Sequence, residues 1–105
     1  MARGEVIEIL KKYISLLNTE GISVSKAYLF GSYSTDSAND ESDIDIMIIS
    51  DKYNENDDLI IGKVWKLTKH ISTKIEPFLI GLNKFNNDKN SPLIDMVKKN
   101  GIEII

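Results

Sequence analysis

The sequence predicts an α+β fold, in which a small mixed β-sheet has helices packed on one side. Three short apolar segments have the length and composition of β-strands, and longer segments between or beside them carry apolar residues at helical spacing. The first two strands are joined only by residues 31–42, which leave room for at most one short helix. We therefore expect these strands to lie in a small mixed sheet.

The size and charge of the chain narrow the classes of protein to consider. With 105 residues and 42% hydrophobic content, we expect residues 1–105 to form a single domain with its own core. The net charge of -3 argues against a domain whose main work is direct nucleic-acid binding. No segment has the length of a membrane span, and the N-terminus lacks the apolar core of a signal peptide. We expect a cytoplasmic protein with no membrane partner.

The first half of the chain contains one predicted helix and one predicted strand. The helix covers Glu5 to Leu17, and Gly21 is well placed to end it. Its apolar residues at helical spacing are Val6, Ile7, Leu10, Ile14 and Leu17. The strand covers Ser25 to Phe30 and runs directly into Gly31-Ser32, and Tyr33 to Ser42 is polar and turn-forming. A helix followed by a strand and a tight turn is therefore expected.

The second half begins with Asp43 to Ile49, a strand whose run of apolar residues predicts burial on both faces. An acidic loop, Asp51 to Asp58, precedes a second helix. One face of that helix is marked by Ile61, Val64, Trp65, Thr68 and Ile71. Lys74 to Ile80 is the third predicted strand, and its Pro77 suggests an edge position because proline cannot donate a ladder hydrogen bond.

The last predicted helix begins at Ser91-Pro92 and is stopped by Gly101. Serine is a favoured N-cap, and proline is favoured at the first helical position. The predicted order of elements is therefore helix, strand, strand, helix, strand, helix.

Two carboxylates open the second strand. Side chains alternate along a strand, so Asp43 and Asp45 project from the same face. Charges so close repel each other, and a hard divalent cation relieves the repulsion by accepting several carboxylate oxygens. The chain has no cysteine and one histidine, His70, which argues against zinc and for magnesium, manganese or calcium. The alternative is that the pair simply faces water at the entrance of a strand.

Two further features favour a metal and phosphate site. Gly31-Ser32 ends the first strand, where glycine allows close approach of a ligand and the serine hydroxyl and free N–H groups favour phosphate oxygens. Glu76 lies among apolar residues of the third strand, where a carboxylate without a partner is costly. Each feature alone has an ordinary interpretation, namely a strand-ending turn and an exposed carboxylate on an edge strand. One metal site explains them together.

In this combination the sequence resembles the DNA polymerase β-type nucleotidyltransferase superfamily. Its pattern is a Gly-Ser after one strand, an Asp-x-Asp on the next and a third acidic residue on a later strand, matched here by Gly31-Ser32, Asp43-Ile44-Asp45 and Glu76. The small size is similar to the minimal nucleotidyltransferase branch, and the resemblance covers nearly the whole chain. It implies the polymerase β-like palm fold and a transferase that moves a nucleotidyl group, usually AMP from ATP, to a hydroxyl.

The resemblance also implies the roles of individual residues. Asp43, Asp45 and Glu76 would bind two Mg²⁺ ions, with Mn²⁺ as the alternative metal, and would be the catalytic residues. The triphosphate would rest against Gly31 and Ser32, with Ser34 in the same motif. Glu76 would bind the metal that activates the incoming hydroxyl, or accept its proton.

Three positions depart from the family pattern. Thr35 stands where a basic residue is usual, and Asp36 stands where glycine is usual. Loss of a cation and gain of a negative charge near the triphosphate would weaken nucleotide binding. Glu76 replaces the more common aspartate and lengthens the arm by one methylene. None of these changes removes a metal ligand, so the resemblance supports binding more firmly than turnover.

The resemblance further implies a partner. Minimal members of the family commonly act beside a separate helical protein of the HEPN type, a ribonuclease toxin, in toxin–antitoxin pairs. The chain would then be the antitoxin and would attach AMP to the toxin. The alternative is a catalytically weak or inactive binding module that neutralises its partner by contact alone. A small-molecule acceptor would need an additional domain to hold it.

Overall fold

The computed structural model describes residues 1–39, 41–53 and 57–105. Asp40 of the predicted polar loop and residues 54–56 of the predicted acidic loop lie outside the described residues. The elements, in chain order, are helix α1 (Arg3–Thr19), strand β1 (Lys26–Phe30), a short 3₁₀ turn (Gly31–Tyr33), strand β2 (Ile44–Ser50), helix α2 (Asp58–Thr68), strand β3 (Ile75–Gly81), helix α3 (Leu82–Asn87), helix α4 (Pro92–Asn100) and strand β4 (Ile102–Glu103).

The four strands form one mixed sheet in the order β3-β2-β1-β4. Strand β1 is antiparallel to both β2 and β4, whereas β2 and β3 are parallel and connected through α2. The predicted α+β class with a small mixed sheet is confirmed. Pro77 lies in β3 at the edge of the sheet, as its missing N–H predicts.

Helices cover both faces of the sheet, whereas the sequence led us to expect them on one. Ile46 and Ile48 of β2 pack with buried residues of α1 and α2. Met47 and Ile49 point to the opposite face, where they pack with Phe85, Ile94 and Val97 of α3 and α4. All four of these β2 side chains are fully buried. Because successive side chains of a strand alternate in direction, a strand buried on both faces requires cover on both sides.

Local sequence accounts for the starts of helices α2 and α4. The Asp57 carboxylate accepts a hydrogen bond from the backbone N–H of Ile60 at 3.2 Å and begins α2. The Ser91 hydroxyl does the same for Ile94 at 3.2 Å, with Pro92 in the first turn, so the predicted start of α4 is confirmed. None of the helices in the described part of the chain is long and apolar enough to cross a membrane.

Helix α3 and strand β4 were not predicted from the sequence. Helix α3 has only six residues, and no side chain caps its start. Strand β4 has two residues, which pair with Tyr28 and Leu29 of β1. Elements this short have too few residues for a periodic apolar pattern to be recognised. They are held in place mainly by contacts with residues distant in the chain.

Candidate metal and nucleotide site

The sheet register brings two of the three predicted carboxylates side by side. Asp45 of β2 is paired with Phe30 on the β1 side and with Glu76 on the β3 side. Gly31 follows Phe30 directly, so the turn, the aspartate and the glutamate lie across three adjacent strands. The adjacency of Asp45 and Glu76 results from the parallel pairing of β2 and β3.

Burial of the neighbouring isoleucines orients the aspartates. Ile44 and Ile46 are fully buried against the α1 and α2 side of the sheet. Because side chains alternate, Asp43 and Asp45 are directed to the opposite side. Asp43 precedes the first residue of β2 and is exposed, whereas Asp45 is half-buried within the strand. The site therefore has one solvated carboxylate and two that are partly enclosed, since Glu76 is also half-buried.

The electrostatics of the site centre on Asp45. Burial raises the pKa of its carboxyl group from 3.8 to about 6, assisted by a hydrogen bond with the Glu76 carboxyl group and by the negative charges of Glu76 and Asp43. Two carboxyl groups joined by a hydrogen bond share a proton. The mutual repulsion of Asp45 and Glu76 is therefore relieved when one of the two carboxyl groups is protonated.

Gly31 lies against the Asp45 carboxylate. Its φ of +74° is in the left-handed region that glycine favours, and a Cβ added there would collide with the carboxylate. The close approach has a structural cause, because Phe30 and Asp45 are paired across β1 and β2. A phosphate resting against the Gly31 backbone would therefore also face Asp45.

Hydroxyl groups hold the turn after Gly31. The Ser34 hydroxyl donates to the Gly31 carbonyl at 2.9 Å, and the Thr35 hydroxyl donates to the same oxygen at 3.3 Å. The backbone N–H of Ser37 donates to the Ser32 carbonyl at 3.0 Å. Ser34, predicted to contact the nucleotide, thus has its hydroxyl proton engaged in shaping the turn. Ser32 is half-buried beside it.

Asp36 adopts the left-handed conformation, with φ of 59°. Glycine accepts that conformation without strain, and aspartate tolerates it better than most residues. Glycine, the usual residue of the family pattern at this position, would therefore fit the same backbone. The Asp36 carboxylate binds the Arg3 guanidinium of α1 at 2.6 Å. Arg3 was not predicted as a site residue, and no spacing in the sequence links it to Asp36.

The donor set fits a hard divalent cation, although the side chains are not posed as a closed cage. Within residues 1–39, 41–53 and 57–105, no group of three or more Asp, Glu, His or Cys side chains is spaced to hold a metal ion as it stands. Asp45 and Glu76 instead bond to each other. A cation that replaced their shared proton would relieve the same repulsion, and carboxylate oxygens are the ligands that Mg²⁺ and Mn²⁺ prefer.

Comparisons with known proteins identify similar domains. The family model described as polymerase beta, nucleotidyltransferase matches residues 6–105. A candidate nucleotidyltransferase from Sulfolobus solfataricus is similar in structure, with a TM-score of 0.68, 14% identity, and coverage of 97% of this chain and 81% of that one. No curated protein matches the chain.

Two similar structures contain toxin–antitoxin proteins. A toxin–antitoxin solved with AMP-PNP gives a TM-score of 0.64 at 23% identity, covering 90% of this chain and 71% of that one. A mutant of the toxin–antitoxin MntA–HpeT gives 0.57 at 25% identity, covering 89% and 68%. The likenesses below 25% identity show a shared fold.

Proposed function

The chain belongs to the polymerase beta nucleotidyltransferase family, and we propose that it transfers a nucleotidyl group, AMP from ATP, to a hydroxyl of a partner protein in a reaction that depends on Mg²⁺. The observation that supports this most directly is the alignment of Asp45 with Glu76, with Gly31 against the Asp45 carboxylate. Carboxylates that carry metal and a glycine that admits phosphate are the two parts that the reaction needs.

Each side chain of the site has a role in this proposal. Asp45 and Glu76 would bind the metal ions once both carboxyl groups are deprotonated. The exposed Asp43 would be the third carboxylate ligand. Gly31, Ser32 and Ser34 would line the triphosphate. Two Mg²⁺ ions, or Mn²⁺, would neutralise the phosphates and stabilise the attacking and leaving oxygens when bound. Glu76 would bind the metal that activates the acceptor hydroxyl, or accept the proton of that hydroxyl.

The bond changes balance without a further reactant. The acceptor oxygen forms a bond to the α-phosphorus of ATP, and the bond from that phosphorus to the bridging oxygen of the β-phosphate breaks. Pyrophosphate leaves with the electron pair of that bond. The hydroxyl proton passes to Glu76 or to solvent.

The acceptor we propose is a separate helical protein of the HEPN type, with this chain as its antitoxin. The toxin–antitoxin structures of similar fold support that setting, one of them solved with the ATP analogue AMP-PNP. Residues 1–105 would act as one domain, and the acceptor hydroxyl would be supplied by the partner.

Labelled ATP tests the reaction directly. The chain is incubated with Mg²⁺ and any helical protein encoded beside it, using ATP labelled in the α-phosphate in one sample and in the γ-phosphate in another. We expect only the α-label to reach the partner, with release of pyrophosphate and loss of transfer in Glu76→Gln. Transfer of the γ-label would indicate a kinase and contradict the proposal.

A second candidate is a binding module that neutralises its partner without catalysis. The observation that favours it is the exposed Asp36 carboxylate near the turn, together with Asp45 and Glu76 bonded to each other. Under this alternative, Asp43→Asn/Asp45→Asn would neutralise the partner as well as the original chain does. Under the enzymatic proposal, the double variant would bind the partner and leave it active.

A further inference from the structure

One guanidinium group joins the N-terminal helix to the turn after Gly31. From α1, Arg3 Nε donates to the Tyr33 carbonyl at 3.0 Å, and a terminal nitrogen of the same group donates to the Ser34 carbonyl at 3.2 Å. That nitrogen also binds the Asp36 carboxylate at 2.6 Å. Three bonds from one rigid, planar group fix the position of the turn relative to α1.

With Arg3 in place, four successive carbonyl oxygens of the turn accept hydrogen bonds. Gly31 and Ser32 are satisfied by the loop's own hydroxyl and N–H groups, and Tyr33 and Ser34 are satisfied by Arg3. A phosphate is repelled by carbonyl oxygens and attracted by N–H groups, and the two point in opposite directions within one peptide unit. Holding these carbonyls away from the ligand is therefore a condition for binding an anion at the turn.

The loop has no cationic side chain of its own that could hold these carbonyl oxygens. Residues 31–42 contain no lysine or arginine. We propose that Arg3 is a positioning residue, which holds the carbonyls of Tyr33 and Ser34 away from the bound nucleotide and so keeps the turn competent to bind phosphate. The effect on nucleotide binding rests on the proposed function, whereas the effect on the shape of the turn does not.

The two carbonyl bonds, and not the ion pair, carry this effect. The Asp36 side chain is 82% exposed and that of Arg3 is 37% exposed, so water and salt screen their attraction. The carbonyl bonds are part-buried, and the donor is charged. Asp36→Gly retains the left-handed backbone without strain and removes only the carboxylate, which makes it the variant that separates the two contributions.

Hydrogen exchange and nucleotide binding test the inference together. Arg3→Gln removes the charge and the planar fork, Arg3→Lys restores the charge, and Lys12→Gln removes an equal charge from an exposed position on the same helix. In the ligand-free protein, we expect Arg3→Gln to speed exchange of the Ser34 and Ser37 amides about tenfold. With Mg²⁺, its KM for ATP should rise about tenfold with kcat nearly unchanged.

The control variants sharpen the expected result. Lys12→Gln should resemble the original chain in amide exchange and in KM for ATP, Asp36→Gly should resemble it in amide exchange, and Arg3→Lys should fall between the original chain and Arg3→Gln. Unchanged amide exchange in Arg3→Gln would overturn the inference. Faster amide exchange with an unchanged KM for ATP would also overturn it. If the original chain binds no Mg²⁺-ATP, the proposed function fails together with the effect of Arg3 on nucleotide binding, whereas the exchange rates still decide whether Arg3 holds the turn. If Asp36→Gly speeds amide exchange as much as Arg3→Gln does, the ion pair carries the effect and the assignment to the carbonyls is wrong.

Discussion

Asp45 lies between Phe30 on one neighbouring strand and Glu76 on the other, with Gly31 against its carboxylate. No single one of these contacts is unusual for a strand residue. Their combination places a half-buried acid beside a second acid and beside a backbone with no side chain. The two acids repel each other when both are ionised, and either a proton or, in the proposed reaction, a cation would relieve that repulsion.

The shared proton gives the stability of the metal-free protein a pH dependence. The pKa of Asp45 is about 6 when folded and near its ordinary 3.8 when unfolded, so folding takes up a proton between these values. This favourable contribution is complete below the unfolded pKa and is lost as the pH rises through about 6. Asp45→Asn should remove that dependence and raise the free energy of unfolding at pH 7 by about 1 kcal/mol, after discounting for partial exposure.

Denaturant unfolding without metal, from about pH 4 to pH 8, measures this effect. The matched control is Asp58→Asn, which removes an exposed carboxylate from the first turn of α2 and should leave the slope unchanged. An equal fall in stability from pH 4 to pH 7 in the original chain and in Asp45→Asn would show that the proton is held elsewhere.

Substitution of two glycines by alanine should change the stability of the chain in opposite directions. Gly31→Ala places a Cβ against the Asp45 carboxylate at a φ of +74° and should destabilise the chain by about 1–2 kcal/mol. Gly62→Ala lies in α2 with open space around the new Cβ and should stabilise the chain by about 1 kcal/mol. Thermal unfolding of both variants gives the sign of each change. A Gly31→Ala protein as stable as the original would mean that the turn does not approach Asp45 as described.

Among the elements, helices α1 and α2 are joined by one buried hydrogen bond. The Tyr13 hydroxyl of α1 donates to the Val64 carbonyl of α2 at 2.6 Å, and burial raises the pKa of the Tyr13 phenol above its ordinary value. Tyr13→Phe should lower the free energy of unfolding by about 1–2 kcal/mol because the ring remains and the bond is lost.

The control for this prediction is Tyr28→Phe. Tyr28 is half-buried, and its ring stacks on Phe85 with centroids 5.6 Å apart, a contact that phenylalanine preserves. Chemical denaturation should separate the two variants clearly. Equal losses of stability would show that the Tyr13 hydroxyl does not link the helices.

The sequence predicts an element well when the element carries its own signals. Ser91 and Pro92 predict the start of α4, and the apolar run of β2 predicts a strand buried on both faces. The helices that cover the second face of the sheet were harder to predict, because one of them, α3, has no capping side chain and few apolar residues. Strand β4 depends on pairing with β1, which lies more than seventy residues earlier in the chain.

At the scale of the whole molecule, the site residues and their grouping in one site could be predicted from the sequence, whereas the strand register that pairs them could not. The spacing of Asp43 and Asp45 follows from the period of a strand. The pairing of Asp45 with Glu76 depends on the register between β2 and β3, which no local sequence pattern encodes. The role of Arg3 was even harder to predict from the sequence. Its hydrogen bonds to the turn join residues about thirty positions apart, and they go to backbone carbonyls, which every residue has.

In the proposed function, the carboxylates of Asp43, Asp45 and Glu76 bind a nucleotide together with its metal ions. Titration calorimetry with ATP, in Mg²⁺ and in excess chelator, tests it on the original chain and on Asp43→Asn/Asp45→Asn. The control variant, Asp58→Asn/Asp95→Asn, removes two charges from exposed positions at the starts of helices α2 and α4. We predict binding that requires Mg²⁺, persists in the control and weakens about a hundredfold or more in the site variant. Equal ATP affinity with and without Mg²⁺, or in the site variant, would contradict the claim.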